Sequence, residues 1–432
     1  MNNVRNFGAV GDGVTLDTQA IQKALDAGGM VYFPAGTYLT GSIYLRSNGG
    51  LELAPGATLL AVPDKTQYNA DDFIPENQAF STENVSGAHL VIAANVENIV
   101  IRGGGRIDGN RRAVFNTPNP DFPERFLLPE WRMGQMVYMV NSKNVSIQDV
   151  EMLDSQYWTC FLHGCEWVKI RGVRIENDFG TQNGDGIDVD CCRYVTISDC
   201  IIRSADDSIT LRGNDAKLGG SRPCEYVTIT NCILSTRCNA FRIGVGGGLV
   251  RRCTISNVIV RDTRTAICLV SQYSKKSTGV QIEDIQFSNL RLDCVRPFYI
   301  ATTPRGMQEE TAKNIERISF HHVRGTANRG SVISASYPGY VKDISFSDVK
   351  IVYDRGENIV AVPPEKTGYG EFVKGNPPAA FYLCNAEDVE FKDVKVTYPA
   401  HADEWLAGIM NQNSSYCCNK PLSDKPDMAA EF

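Results

Sequence analysis

Residues Val195–Ile202 read VTISDCII, and Val227–Leu234 read VTITNCIL. In both, apolar residues stand at the first, third, sixth and eighth positions, with Asp199 or Asn231 fifth. Working outward, the pattern recurs at Val145 (VSIQDVEM), Val168 (VKIRGVRI), Cys253 (CTISNVIV), Ile285 (IQFSNLRL), Ile318 (ISFHHVRG), Ile344 (ISFSDVKI) and Val389 (VEFKDVKV). Ile99 (IVIRGGGR) is a degenerate copy. Most intervals run from 23 to 33 residues, and the two longer ones, after Ile99 and after Ile344, hold insertions. Each unit is an alternating strand, a sharp bend and a second apolar pair. The fifth position is Asp149, Gly172, Asp199, Asn231, Asn257, Asn289, His322, Asp348 and Asp393. Most of these are residue types that tolerate the left-handed conformation of a tight bend. Such units bury their apolar faces only by stacking, at about 4.8 Å per coil. The expected fold is all-β, a parallel β-helix of about ten coils. Propellers and leucine-rich repeats require other consensus signatures.

The chain of 432 residues reads as one domain, because repeats grow by addition of units. Residues 1–62 form a cap and first strands, 95–398 the main coils and 399–432 a tail without repeat that folds back or frays. In the cap, a short helix carries Ile21, Ala24 and Leu25 on one face, with Asp17 or Thr18 as its N-cap. A net charge of −7 argues against nucleic acid or an anionic membrane as partner. No apolar run is long enough to span a bilayer, and MNNVRNFGAVGDG lacks the features of a signal peptide. The expectation is a cytoplasmic protein, or a secreted or periplasmic one if a leader has been removed. Fourteen cysteines show no zinc-site spacing, so neither metal nor other cofactor is expected. Cys200, Cys232 and Cys253 fall on inward ladder positions, where cysteine acts as a small apolar residue. His322 falls on the turn ladder, a structural place.

Asn183–Arg212 concentrates Asp185, Asp188, Asp190, Asp206 and Asp207, with Asp185 and Asp206 about one coil apart. Aligning coils puts Ile187, Ile209, Phe241 and Ile267 in one inward column. Alternation sends Asp188, Thr210, Arg242 and Cys268 outward, and beside them Asp190, Arg212, Gly244 and Val270. At the entrance to this strand Asp185, Asp207 and Asn239 share a column. Three carboxylates so close push at least one pKa upward, giving the acid and base that glycosidic cleavage needs.

These residues resemble the polygalacturonase family, glycoside hydrolase family 28. Asn183-Gly184-Asp185-Gly186-Ile187-Asp188 is similar to its Asn-Thr-Asp-Gly-Ile-Asp motif, and Ala205-Asp206-Asp207-Ser208-Ile209 to its Gly-Asp-Asp-Cys-Ile/Val. Gly103–Gly109 (GGGRIDG) resembles its Gly-x-Gly-x-Ile-Asp-Gly turn, and Ser155-Gln156-Tyr157-Trp158 its Ser-Pro-x-Trp. The likeness runs from about residue 4 to 400 and implies a right-handed helix and an inverting hydrolase. By that resemblance Asp206 is the general acid, Asp185 and Asp207 activate water, and Asn183 supports them. Two departures stand out. The family's histidine is Asn239 here, and its Arg-Ile-Lys uronate grip reads Cys268-Leu269-Val270. Arg242 and Arg212 stand in the columns of the lost pair, one and two rungs earlier, where arginine can grip a carboxylate or simply steady the aspartates.

The expected substrate is a pectin-related oligosaccharide or polysaccharide containing uronic acid or rhamnose. Candidate substrate-binding residues are Asn183, Asn239, Arg242, Arg212, Asp188 and Trp158, with Tyr157 and Tyr273 as further stacking surfaces. The insertion Asn110–Gln135, carrying Arg111, Arg112, Arg125, Trp131 and Arg132, is placed to wall one end of the cleft and favours exo action. Two alternatives stay open: a non-catalytic glycan-binding β-helix, or a pectate lyase or epimerase using Arg212, Arg242 or Arg264. The oligomeric state is not set by the sequence.

Overall fold

The computed structural model describes residues 1–69, 83–272, 278–303, 311–353, 379–399, 405 and 407–429. The chain folds as two compact units, Met1–Ile209 and Thr210–Phe432. Both are stretches of right-handed parallel β-helix. Among the described residues no helix is long and apolar enough to cross a membrane.

In the first unit each coil supplies strands to three parallel sheets. One stacks Glu97–Arg102, Lys143–Gln148, Glu166–Arg171 and Arg193–Ser198, with Ile99, Val145, Val168 and Val195 in one column. A second stacks Arg106–Asp108, Glu151–Leu153, Arg174–Glu176 and Ile201–Ser204. The third, which carries part of the candidate site, stacks Val91–Ala94, Val137–Val140, Cys160–His163 and Ile187–Asp190. The cap helix is Thr18–Asp26, and it buries Ile21, Ala24 and Leu25 as the sequence requires. Neither expected cap closes it. The Asp17 carboxylate accepts instead from the amides of Val10 (2.7 Å) and Gly11 (3.0 Å), and Thr18 Oγ1 accepts from Gly41 N at 2.8 Å. These two side chains hold the preceding glycine turn and the next coil.

In the second unit Val227, Cys253, Ile285, Ile318, Ile344 and Val389 form one column in the order the repeat dictates. The third repeat positions inside it are Phe287, Phe320, Phe346 and Phe391. Their rings stack at 5.1, 4.8 and 5.3 Å between centroids. Phenylalanine at a repeated inward position meets its own copy on the next rung, so the core is a pile of parallel rings. The segment after Pro399 departs from expectation. Ala407–Gln412 pairs in parallel with Ala379–Cys384, and Tyr416–Cys418 with Ala386–Lys392, so the chain continues the stack.

Every fifth-position residue has a left-handed backbone, from Asp149 (φ 54°) and Gly172 (65°) to Asp393 (55°). The structure adds a second left-handed ladder, one residue before each repeat: Asn98, Asn144, Trp167, Tyr194, Tyr226, Arg252, Asp284, Arg317, Asp343 and Asp388. Side chains bond along both ladders, as in Asn144 Nδ2 to Asn98 Oδ1 (2.6 Å) and Asn289 Nδ2 to Asn257 Oδ1 (2.6 Å). Where the second ladder carries aromatics they stack instead, with Trp167 on Tyr194 at 4.3 Å. Cys200, Cys232 and Cys253 are buried ladder residues. His322 is exposed on the turn, with Nδ1 2.7 Å from Asp348 Oδ2.

Candidate active site

The three catalytic candidates of the sequence all lie in the first unit, on two turns that face one another. Asn183 takes a left-handed conformation (φ 56°) just before Asp185. The two turns are then laced by backbone. Ala205 N donates to Gly184 O (2.9 Å), Gly186 N to Asp207 O (2.9 Å), and Ile187 N to Ser208 O (2.9 Å). Asp185 and Asp207 thereby occupy neighbouring rungs, and Asp206 sits beside Asp207. Both glycines are there for want of room. A Cβ on Gly186 would lie 2.3 Å from Ser208 O, and one on Gly184 would lie 2.9 Å from Ala205 Cβ. Asp185 is buried to 5% exposure, whereas Asp206 and Asp207 are half-buried. That contrast gives Asp185 a drier setting than its two neighbours.

A polar seam supports the turns from below. Asn177 accepts from Ser155 N (3.0 Å) and donates to Thr159 Oγ1 (2.8 Å) and Gly184 O (3.3 Å). Thr159 N donates to Asp185 O at 3.0 Å. Ser204 Oγ donates to Asp206 O (2.8 Å) and lies 2.9 Å from Ser208 Oγ.

The insertion after Asn110 is bound into this neighbourhood. Arg111, fully buried, pairs with Asp154 (3.1 Å) and Asp178 (3.5 Å) and lies over the Phe126 ring at 4.3 Å. Phe126 N donates to Gly180 O, and Gln182 Nε2 donates to Phe126 O, on the segment leading to Asp185. Arg132, also fully buried, donates to Asn183 Oδ1 at 3.0 Å and lies 4.9 Å from the centre of the Tyr157 ring. The Tyr157 hydroxyl donates to the Glu83 carboxylate. Burial, and then the charge of Glu83, push that phenol far above its ordinary range. Trp158 lies against Tyr157, ring centres 4.9 Å apart, and is 5% exposed. Both aromatics are packing residues in this structure rather than open platforms, and Tyr273 lies outside the described residues.

The column of Asp188 differs from expectation more sharply. Alternation turns Asp188 and Asp190 away from the helix interior, yet both are fully buried. The reason lies on earlier rungs, where the same columns run Tyr138, Phe161, Asp188 and Val140, His163, Asp190. Tyr138 stacks on His89 at 3.9 Å and Trp158 meets Phe161 edge-on at 5.2 Å, so this face carries a second packed layer. Asp188 is therefore covered in this structure, as Asn239 and Arg242 also are. Donor atoms of His163, Asp190 and Cys191 lie within 4.8 Å of one another, a set able in principle to hold a metal ion, with the Cys191 thiol donating to Asp190 Oδ1.

The remaining candidates lie in the second unit. Arg212 is half-buried, and Asn239 and Arg242 are buried. The register is as counted: Asn239 beside Thr265, Arg242 beside Cys268, Gly244 beside Val270. Arg242 Nη1 donates to Ile243 O at 2.9 Å. One residue was not found from sequence. Thr265 pairs with Arg296, so Asn239, Thr265 and Arg296 form one column. The register slips between Val260 and Thr263, so counting from the repeat does not lead to Arg296. Arg296 is nearly buried, and that burial pulls its guanidinium down to about 10, with Arg329 and Arg264 adding to the effect.

The chain is thus a parallel β-helix with carboxylates gathered on two laced turns. Comparison with known proteins narrows this. Residues 70–368 match the glycosyl hydrolases family 28, and the chain belongs to that family. A probable polygalacturonase of Vitis vinifera is 29% identical over 220 residues, 48% of this chain and 43% of that protein. An exo-poly-alpha-D-galacturonosidase of Dickeya chrysanthemi is 27% identical over 263 residues, 50% of this chain and 43% of that one. The chain thus spans somewhat under half the length of these relatives. In structure it is similar to a family 28 exopolygalacturonase of Yersinia enterocolitica, with a TM-score of 0.66 and 16% identity over 99% of this chain and 78% of that one.

Proposed function

We propose that the protein is an inverting glycosidase that removes terminal sugars from a pectin-related oligosaccharide containing uronic acid or rhamnose. In this reading Asp206 is the general acid that protonates the leaving glycosidic oxygen. Asp185 and Asp207 activate the attacking water, and Asn183 steadies them. Arg212, Asn239 and Arg242 contribute to substrate binding, the arginines answering a substrate carboxylate. The observation that carries the reading is the lacing of the Asp185 turn to the Asp206–Asp207 turn through Gly186 N and Asp207 O, in a chain of family 28. Paired carboxylates with unequal surroundings are what acid–base cleavage of an acetal requires. Exo action is supported by the insertion, which Arg111 and Arg132 anchor beside the Asp185 turn.

The test is a panel of polygalacturonate, rhamnogalacturonan fragments and nitrophenyl glycosides. Reducing ends and unsaturated products are measured together, and product size is followed with time. Monomer appearing first, without unsaturation, supports the reading. Unsaturated product would replace it with a lyase, and binding without turnover would replace it with a glycan-binding protein.

A further inference from the structure

Arg132 lies on the insertion, outside the repeat and outside the proposed acid–base group, yet its side chain is spent entirely on that neighbourhood. A guanidinium has five N–H donors, and here each has an acceptor. Nε donates to Asn84 O (3.2 Å), and Nη1 to Gln156 O (3.2 Å) and Gln182 O (2.6 Å). Nη2 donates to Glu83 O (2.9 Å) and Asn183 Oδ1 (3.0 Å). All five acceptors are neutral oxygens. The geometry is fully satisfied, while among the described residues no direct ion pair cancels the charge, and a buried uncompensated cation is costly. Its compensation comes from anions at longer range. The geometry places them: Arg132 donates to Gln182 O and Asn183 Oδ1 at the head of the Asp185 turn, and Gly184 O of that turn accepts from Ala205 N beside Asp206. Glu83, Asp185 and Asp206 are the carboxylates whose charge favours the guanidinium, while Tyr157, whose ring it overlies, stays a neutral phenol.

We infer that Arg132 is a positioning residue for the reaction: it fixes Asn183 at the head of the Asp185 turn and supplies the positive charge against which Asp185 and Asp206 are balanced. The inference rests on the hydrolase reading above. Glu83 is the counterweight. Its carboxylate accepts the Tyr157 hydroxyl on one side while its backbone carbonyl accepts from Arg132 on the other. Removing the Glu83 charge leaves more of the Arg132 field for the aspartates. Removing the Arg132 charge leaves less. The two changes therefore act with opposite sign, which a purely structural clamp does not do.

The experiment measures kcat/KM against pH for the wild type, Glu83→Gln, Arg132→Gln and Arg132→Lys, with thermal melting of each. Glu83→Gln is expected to move both limbs of the profile to lower pH, and Arg132→Gln to move both to higher pH, each by about 0.5 unit or more. Arg132→Gln is further expected to lower kcat about tenfold or more with a smaller change in KM. Arg132→Lys keeps the charge, so its limbs stay near the wild type although its melting point falls. Should Arg132→Gln fail to fold, the direction of the Glu83→Gln shift decides alone. Limbs that stay in place, or a Glu83→Gln shift to higher pH, overturn the inference while an active wild type leaves hydrolysis standing. A wild type inactive on the whole panel removes the hydrolase reading and this inference with it.

Discussion

Gly186 donates its amide to the carbonyl of Asp207 at 2.9 Å, and this bond ties the turn bearing Asp185 to the turn bearing Asp206 and Asp207. The contact needs glycine on the donor side, because a Cβ there would stand 2.3 Å from Ser208 O and 2.8 Å from Ile202 Cγ2. Backbone on one side and a packed core residue on the other cannot both yield. Gly186→Ala is expected to cost about 2 kcal/mol of stability and to abolish turnover by pushing the rungs apart. Urea denaturation with parallel assays checks this; an alanine variant as stable and active as the parent contradicts it.

Val245 offers the reverse case. Its φ of 76° is a conformation that a β-branched residue adopts only under strain, and it lies on the strand Asn239–Gly246 that carries Asn239 and Arg242. Val245→Asn keeps a side chain while suiting the left-handed backbone. Stability is expected to rise by about 1 kcal/mol, read as a higher denaturant midpoint at unchanged slope. A lowered midpoint would show that the valine side chain contributes more in packing than its backbone loses.

The ring pile of the second unit makes a sharp packing test. Phe346 is fully buried between Phe320 and Phe391. Phe346→Ala is expected to cost about 3–5 kcal/mol, whereas Phe346→Leu, which keeps most of the volume, is expected to cost less than half of that. Equal losses for the two would mean that the stack is not the source of the stability.

Asp348 links the turn ladder to pH. The His322 hydrogen bond, and then Arg324, hold its carboxyl below the ordinary value of 3.8. A carboxylate whose folded pKa is depressed stabilises the fold above its unfolded pKa, and that contribution is lost as pH falls through the folded value. Melting temperature is therefore expected to fall below about pH 4 by less in Asp348→Asn than in the parent, the effect being modest because the group is partly exposed. Parallel melting curves from pH 7 downward check the sign.

How much of this was legible in the sequence depends on what each residue responds to. The repeat columns from Val145 to Val389 and the left-handed fifth positions follow from local rules, an alternating strand and a bend that admits Asn, Asp or Gly, so they could be read directly. The second left-handed ladder could not, because Trp167 stacks on Tyr194 and Arg252 bonds the Tyr226 hydroxyl across rungs, contacts that no single repeat displays. The outward direction of Asp188 was legible, but its burial was not. It depends on Tyr138 and Phe161, two rungs and one rung earlier, building a second layer over the sheet. Arg296 was hidden by the register slip after Val260. Arg132 could be named as part of the insertion, but its partners could not, being backbone carbonyls from three separate places and the side chain of Asn183. The carboxylates were found because their spacing in sequence matches the length of one coil.

In the proposed mechanism Asp206 protonates a leaving glycosidic oxygen while Asp185 and Asp207 activate water. Its most direct measurement is product analysis of a homogeneous oligogalacturonate by the parent protein and by Asp206→Asn. The parent is expected to release saturated sugar of inverted anomeric configuration, seen by proton NMR in the first minutes. Asp206→Asn is expected to lower kcat by about 10²–10⁴-fold with the fold intact. Unsaturated product, or an Asp206→Asn variant that turns over as fast as the parent, would contradict it.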